Sequence, residues 1–204
     1  LEELTYYQSN YSKPRKYACV FVHYDKDSLI SADCVHHIEK LSDYCDIFFV
    51  SSSEYLDKSP EEIEKIKPFC KQILIRKNSG YDFGCWSHVI RKNYSQLCEY
   101  EGVLLANDSN WGPLKDFSDT FSKINNLLAE VDFIGLTSST TPSWHLQSFF
   151  IIYSKKVFES SYFKQHWFNV GIHNSKIDII MSYEVDWCTR LKRLGFVGTS
   201  LYGD

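Results

Sequence analysis

The chain has 204 residues, a net charge of −4, 44% hydrophobic and 24% charged residues. That length suits one domain with a sizeable core. No basic block that would hold a nucleic-acid backbone occurs, and no apolar run of ~18 residues reads as a membrane span.

In chain order, Tyr17–Tyr24 (YACVFVHY) is an apolar, aromatic run that predicts a buried strand. Residues 31–44 place Val35, Ile38 and Leu41 on one helical face, with Ser31 or Asp33 as cap. DIFFVSSS (46–53) predicts a second strand. SPEEIEKIKPF (59–69) predicts a helix with Ser59 at N-cap and Pro60 at N1. QILIR (72–76) is a third strand, and FGCWSHVIRKNYSQL (83–97) a helix entered from a glycine turn. EGVLLAND (101–108) is a fourth strand, FSDTFSKINNLLAEV (117–131) a helix, and DFIGLTSS (132–139) and SFFIIYS (148–154) further strands. Residues 155–170 and 182–195 carry helical patterning, the second run ended by Gly195, and GFVGTSLY reads as a last strand. Strands alternating with helices predict an α/β fold with a mostly parallel sheet flanked by helices. Residues 1–15 read as an N-terminal extension of a single domain spanning 1–204. Leu1 is not a natural start, so the chain reads as excised from a longer one.

Aromatic residues make up 16% of the chain, more than a core needs, which suits a cleft that stacks on rings. The seven cysteines form no C-x-x-C pair and read as reduced thiols, mostly in apolar runs. In α/β folds ligands gather beyond the carboxyl ends of the strands. HYDKD, SSS, KNSGYD and NDSN sit there, one after each of the first four strands.

Each of these loops has a functional and a structural reading. Tyr24 suits base stacking, and Asp25 hydrogen bonds to a nucleoside; both equally suit an ordinary loop. In KNSGYDFGCW (77–86), Gly80 and Gly84 allow close backbone approach, and Asn78 and Asp82 supply directional hydrogen bonds. Tyr81, Phe83 and Trp86 divide between ring contact and anchoring, and Asp82 equally suits a helix cap. Asn107, Asp108 and Ser109 suit a hard cation bridged to phosphate, or an Asx turn. His145 and Gln147 share one face of an extended segment, with Trp144 on the other. All three suit acceptor or sugar contacts, though a lone histidine is often structural. His36 and His37 read as structural. Glu184 lies at a helix start, where a carboxylate is favoured and can serve as general base. Asp186 and Arg190 are spaced for an i,i+4 ion pair.

In combination these segments resemble nucleotide-sugar glycosyltransferases of the GT-A fold. YEVDWCTRLKRLGF resembles the acid-rich helix of inverting family 2 enzymes, which puts Glu184 on the catalytic base and Arg190 on the helix arginine. The chain is identified as a member of the rhamnan synthesis protein F family. The residues that carry it are FVHYDKD, IFFVSSS, KNSGYDFGCW, LLANDSNWGPL, DFIGLTSS, WHLQSFFIIYSKKVFES and YEVDWCTRL. The resemblance implies transfer of rhamnose or a related sugar from a donor such as dTDP-rhamnose. The implied acceptor is a growing, lipid-linked surface polysaccharide at the cytoplasmic face of the bacterial membrane. It assigns Tyr24, Asp25 and Ser51 to the nucleoside. Asn78, Gly80, Tyr81, Asp82, Gly84 and Trp86, with Asn107 to Ser109, go to the rest of the donor. NDS stands where such enzymes carry D-x-D, which leaves Asp108 as the one metal-binding acid for Mg2+ or Mn2+. Without a metal the leaving diphosphate falls to Arg76, Lys77, Arg190 or backbone N–H groups at Gly80 and Gly84. The alternatives are a non-catalytic nucleotide-sugar or glycan-binding module, and a nucleotidyltransferase. The latter wants a glycine- and arginine-bearing first loop that HYDKDSL lacks.

Overall fold

The computed structural model describes residues 3–8, 14–110, 112–171 and 176–203. One eight-stranded sheet runs through them. In chain order the strands and helices are β1 (Glu3–Gln8), β2 (Tyr17–His23), α1 (Ala32–Ser42), β3 (Cys45–Ser51), α2 (Pro60–Ile66), β4 (Cys70–Arg76), α3 (Tyr81–Leu97), β5 (Gly102–Asn107) and α4 (Ser118–Leu127). There follow β6 (Phe133–Gly135), β7 (Ser138–Ser139), β8 (His145–Leu146), β9 (Phe150–Ser154), α5 (Lys155–Phe158), α6 (Ser161–Phe168), α7 (Lys176–Ile179), a π-helical turn (Ile180–Val185), α8 (Asp186–Arg193) and β10 (Gly198–Ser200). The large sheet has the order β1-β4-β3-β2-β5-β9-β6-β10. Strands β2 to β5 run parallel, while β1 and β9 run antiparallel to their neighbours. The expected α/β fold with a mostly parallel sheet flanked by helices is what forms.

Alternation explains the layering. Ala18, Val20 and Val22 of β2 face a core built with α3, α6 and α8, around Trp86, Trp167 and Trp187. Cys19 and Phe21 face a second core beneath α1, α2 and α4. Both faces are covered, so β2 and β3 are buried along their whole length. The strand order reverses between β2 and β5, and that switch point opens a crevice at their carboxyl ends.

The local differences from expectation have identifiable causes. Residues 3–8 of the expected extension form an edge strand on β4, while residues 1–2 and 9–13 lie outside the described residues. The helix expected over 59–69 ends at Ile66 and tightens into a 3-10 turn at Lys67–Phe69, where Pro68 lacks an N–H. Ser59 makes no side-chain cap bond, whereas Ser31 accepts from the Cys34 amide at 3.1 Å. The run 155–170 splits into two helices because the Ser160 side chain caps a new one, accepting from the Phe163 amide. All seven cysteines are free thiols, six of them buried.

The glycine turn after β4 is locked from below. Arg76 is fully buried, with Nη1 3.2 Å from Cys85 Sγ and Nη2 donating to Ser79 O at 3.0 Å. A Cβ on Gly84 would lie 2.2 Å from Ser79 O. Gly84→Ala therefore drives a methyl group into backbone. We expect a loss of roughly 2–3 kcal/mol, in line with overpacked cores, read as a lowered urea midpoint at unchanged slope.

Candidate functional site

Beyond the carboxyl ends of the parallel strands lies a cleft of about 550 Å3. The loop after β2 contributes Tyr24 and that after β3 Ser52. The turn after β4 and the first turn of α3 contribute Asn78, Tyr81, Asp82 and Phe83. From the end of β5 come Asn107, Asp108 and Ser109, and from the segment before β9 Gln147, Ser148 and Phe149. Ile179, Ile180 and Glu184 close the opposite wall. The four loops picked out by their polar ends therefore meet at one place.

Helix α3 is entered through two consecutive residues with positive φ, Gly80 at 80° and Tyr81 at 52°. Gly80, not Asp82, occupies the N-cap position, so Asp82 lies within the first turn. Its Oδ2 accepts from Asn107 Nδ2 at 2.9 Å. Asn107 Oδ1 accepts in turn from the Ser109 amide at 3.1 Å. Asp108 bridges the switch point. Its amide donates to Val22 O at 3.2 Å, and its Oδ2 accepts from the Tyr24 amide at 3.1 Å. Burial raises the Asp108 carboxyl to about 6; the Tyr24 amide opposes this, and the negative fields of Asp82 and Asp25 add to it.

Glu184 stands across the cleft in the π-helical turn, where the Asp186 amide bonds to Met181 O, five residues back. The wider turn brings Ile179, Ile180 and Glu184 onto one wall; such turns recur at functional sites. Ser148 Oγ donates to Glu184 Oε2 at 3.0 Å. His145 Nε2 lies 3.8 Å from Oε1, and its Nδ1 donates to Ser143 O at 2.8 Å. Burial raises the Glu184 carboxyl, while Ser148 and His145 pull the other way. The result is a half-shielded acid held by two neighbours, the setting a general base needs.

Other sequence candidates fall elsewhere. Ser51 points to the α1 side, bonded to His23 Nδ1 at 3.0 Å, and Ser52 takes its place in the cleft. Asp25 Oδ1 accepts from the Asp27 and Leu29 amides at 2.9 and 3.0 Å, so it shapes its own loop. Trp86 is buried, its Nε1 donating to Val20 O and Ala106 O. Arg76 and Gly84 hold the turn from beneath, and the Gly84 amide is used by Gly80 O. Gly80 caps α3. Arg190 lies in a separate groove with Gln165 and Asp186. No Asp186–Arg190 ion pair forms among the described residues. Lys192 Nζ covers the Trp144 ring at 3.1 Å from its centroid. His145 stands behind Glu184. Ser52, Ser148, Phe149, Ile179 and Ile180 were not singled out as site residues. Ser148 adjoins the Trp144–Gln147 segment, but no local pattern marks the two isoleucines.

Among the described residues the cleft is lined by no Lys, Arg or His, and no group of three or more His, Cys, Asp or Glu is arranged to hold a metal. Asp82 and Asp108 line one wall and feel each other's charge, and carboxylate oxygens are the donor type that Mg2+ or Mn2+ takes alongside substrate phosphates. Burial is the main reason the Asp108 carboxyl is raised, and the fields of Asp82 and Asp25, which add to it, are what a cation would offset.

The sequence model of the family described as rhamnan synthesis protein F matches residues 47–202. The chain belongs to the rhamnan synthesis protein F family. It is 26% identical over 158 residues to the uncharacterized protein y4gN of Sinorhizobium fredii; the match covers 76% of this chain and 40% of that protein. The match thus spans less than half the length of that relative. Its fold is similar to CMP:2-keto-3-deoxy-manno-octonic acid synthetase complexed with CTP, at TM-score 0.50 and 10% identity over 90% of this chain and 88% of the other. It is also similar to a Bacillus anthracis structure described as a glucose-1-phosphate thymidylyltransferase, in complex with sucrose. There the TM-score is 0.52 at 14% identity, over 92% of this chain and 88% of the other. At these identities the likeness is one of fold.

The raised Asp108 carboxyl has a signed consequence. Its folded value of about 6 exceeds the ordinary 3.8, so its ionised form destabilises the fold above pH 6. That cost shrinks between pH 6 and 4 and vanishes below. Asp108→Asn keeps an acceptor for the Tyr24 amide. In EDTA at pH 7.5 we expect it to stabilise the protein by on the order of 1–2 kcal/mol, with the gain disappearing near pH 4 in denaturant titrations.

Proposed function

We propose that this chain transfers a sugar, rhamnose or a related one, from a nucleotide-sugar donor to a growing bacterial surface polysaccharide, with inversion. The observation that carries the reading is Glu184, a shielded carboxylate across one cleft from Asp108 at the end of β5 and Asp82 in the first turn of α3. Family membership supplies the polysaccharide context.

In this mechanism Glu184 takes the proton of the acceptor hydroxyl as that oxygen attacks the anomeric carbon. Ser148 and His145 hold the carboxylate in place. Tyr24 and Ser52 meet the nucleoside side of the donor, and Asn78, Asn107 and Ser109 offer hydrogen bonds to its ribose or phosphates. The first turn of α3 adds outward N–H groups, whose partial positive charge favours an anion. With no cationic side chain among the described residues of the wall, Asp82 and Asp108 would hold a divalent cation, which would neutralise the leaving diphosphate. Gln147 is the sugar or acceptor contact. The acceptor would be lipid-linked, with the chain working at the cytoplasmic membrane face. No helix among the described residues is long and apolar enough to cross a membrane.

A nucleotidyltransferase is the second reading, favoured by the fold of the two solved structures. Against it, the first loop's cation, Lys26, is exposed beside Asp27 and lines no part of the cleft.

Glu184→Gln tests the proposal. Transfer is expected to fall by about 10²-fold or more, as for loss of a general base, with the donor's dissociation constant unchanged. Survival of kcat within a few-fold removes the role. Activity in EDTA is expected to be lost and restored by Mg2+ or Mn2+; full activity in EDTA removes Asp82 and Asp108 as metal ligands.

A further inference from the structure

His145 begins β8, just before the segment that sends Gln147 and Ser148 into the cleft. Its ring is buried and lines no part of the cleft itself, whereas Glu184 does. Nδ1 lies 2.8 Å from Ser143 O. A carbonyl oxygen accepts and never donates, so Nδ1 carries the proton and the tautomer is fixed. In the neutral ring Nε2 is then a bare lone pair. It stands 3.8 Å from Glu184 Oε1 and makes no hydrogen bond among the described residues. Glu184 Oε2 is already engaged by Ser148 Oγ at 3.0 Å.

Two lone pairs do not bond each other. With one proton between them, a bare nitrogen and a carboxylate oxygen form a charge-assisted hydrogen bond. Closing the gap by about 1 Å gives that bond its ordinary length. The titratable groups around the pair, among the described residues, are Asp82 on α3, Tyr153 on β9, Tyr183 in the π-helical turn, and Cys188 and Lys192 on α8. Burial pushes the Cys188 thiol up to about 11 and Tyr153 well above its usual range, so both stay protonated near neutrality. Tyr183 OH accepts from the Gly171 amide, and Lys192 Nζ lies over the Trp144 ring. The negative field of Asp82 favours a proton on Glu184. Glu184 and His145 are thus a carboxylate open to the cleft with a bare nitrogen behind it.

We propose that His145 is a positioning residue that receives, through Glu184, the proton of the acceptor hydroxyl. The inference rests on the general-base reading of Glu184. As the acceptor oxygen bonds to the anomeric carbon, its proton passes to the carboxylate and on to Nε2. The bond from that carbon to the diphosphate oxygen breaks, and its electron pair leaves with the diphosphate. The imidazolium then donates from Nδ1 to Ser143 O and from Nε2 to Oε1. Glu184 remains an anion throughout, and the pair goes from singly negative to neutral. When the products leave, the proton returns through Glu184 to water.

The first test needs no substrate. Imidazole 15N NMR of the whole chain in mildly alkaline buffer is expected to show His145 with Nδ1 protonated and Nε2 bare. The side-chain 13C signal of Glu184 is expected to titrate in two steps, as coupled sites do, and in one step in His145→Gln. Glutamine keeps a hydrogen-bonding group beside the carboxylate but takes no proton. With dTDP-rhamnose, a methyl rhamnopyranoside and Mg2+, His145→Gln is expected to lower kcat by about 10-fold or more with KM within about twofold. The acid limb of kcat moves to lower pH, because the pair has lost one of its two places for a proton. A purely structural histidine is rescued by glutamine and leaves that limb in place. A ring protonated at Nε2 and bare at Nδ1 overturns the proposal, as does a Glu184 titration or a kcat profile that His145→Gln leaves unchanged. If the variant does not fold, the wild-type tautomer and the two-step titration decide. Loss of transfer in Glu184→Gln with His145→Gln at wild-type rates removes the relay and keeps the base. Absence of wild-type turnover bears on the transfer reading, and the two NMR results then decide this one.

Discussion

The side-chain amide of Asn107, buried at the carboxyl end of β5, donates to Asp82 in the first turn of α3 and accepts from the Ser109 amide of its own loop. The end of β5 and the start of α3 are thereby held in one arrangement, with Asp108 fixed beside them by the Tyr24 amide. A buried amide bonded at both its nitrogen and its oxygen is held in place. Around it an otherwise open crevice at the switch point becomes a shaped cleft. Glu184, from the far end of the chain, faces that fixed edge.

The cleft concentrates unfavourable terms. Asp108 carries a carboxyl pushed up by burial and by neighbouring acids. Tyr81 holds φ at 52°, where a non-glycine residue is strained by about 1–3 kcal/mol. The π-helical turn departs from the regular bond pattern at the residue proposed as base. These costs are borne by a sheet whose central strands are buried on both faces and by three fully buried tryptophans. Stability resides in the cores and strain at the loops, the usual division where a site needs preorganisation.

Much of this was legible in the sequence because it depends on local pattern. Buried strands such as YACVFVHY, capped helices and polar strand ends place Tyr24, Asn78, Asp82, Asn107, Asp108, Gln147 and Glu184 around one cleft. What was not legible depends on partners distant in the chain. Strand β1 adds its hydrogen bonds to the β4 edge, and Arg76, its register partner, is fully buried. That turns a candidate phosphate ligand into a brace for the glycine turn. A one-residue alternation sends Ser51 to His23 and Ser52 to the cleft. The π turn, invisible to 3.6-residue periodicity, brings Ile179 and Ile180 onto the Glu184 wall and leaves Arg190 in another groove. His37 shows the same limit: its sequence neighbours mark it as structural, and only the packing shows both nitrogens without a partner among the described residues.

The central claim is that the cleft between Asp82, Asp108 and Glu184 receives a nucleotide-sugar. Calorimetric titration of the chain, with Mg2+ present, against a panel of nucleoside diphosphate sugars tests it most directly. The account predicts saturable binding of one donor, competed by its free nucleoside diphosphate and abolished by Asp108→Ala in a folded protein. A panel without binding, or binding indifferent to Asp108, would contradict it.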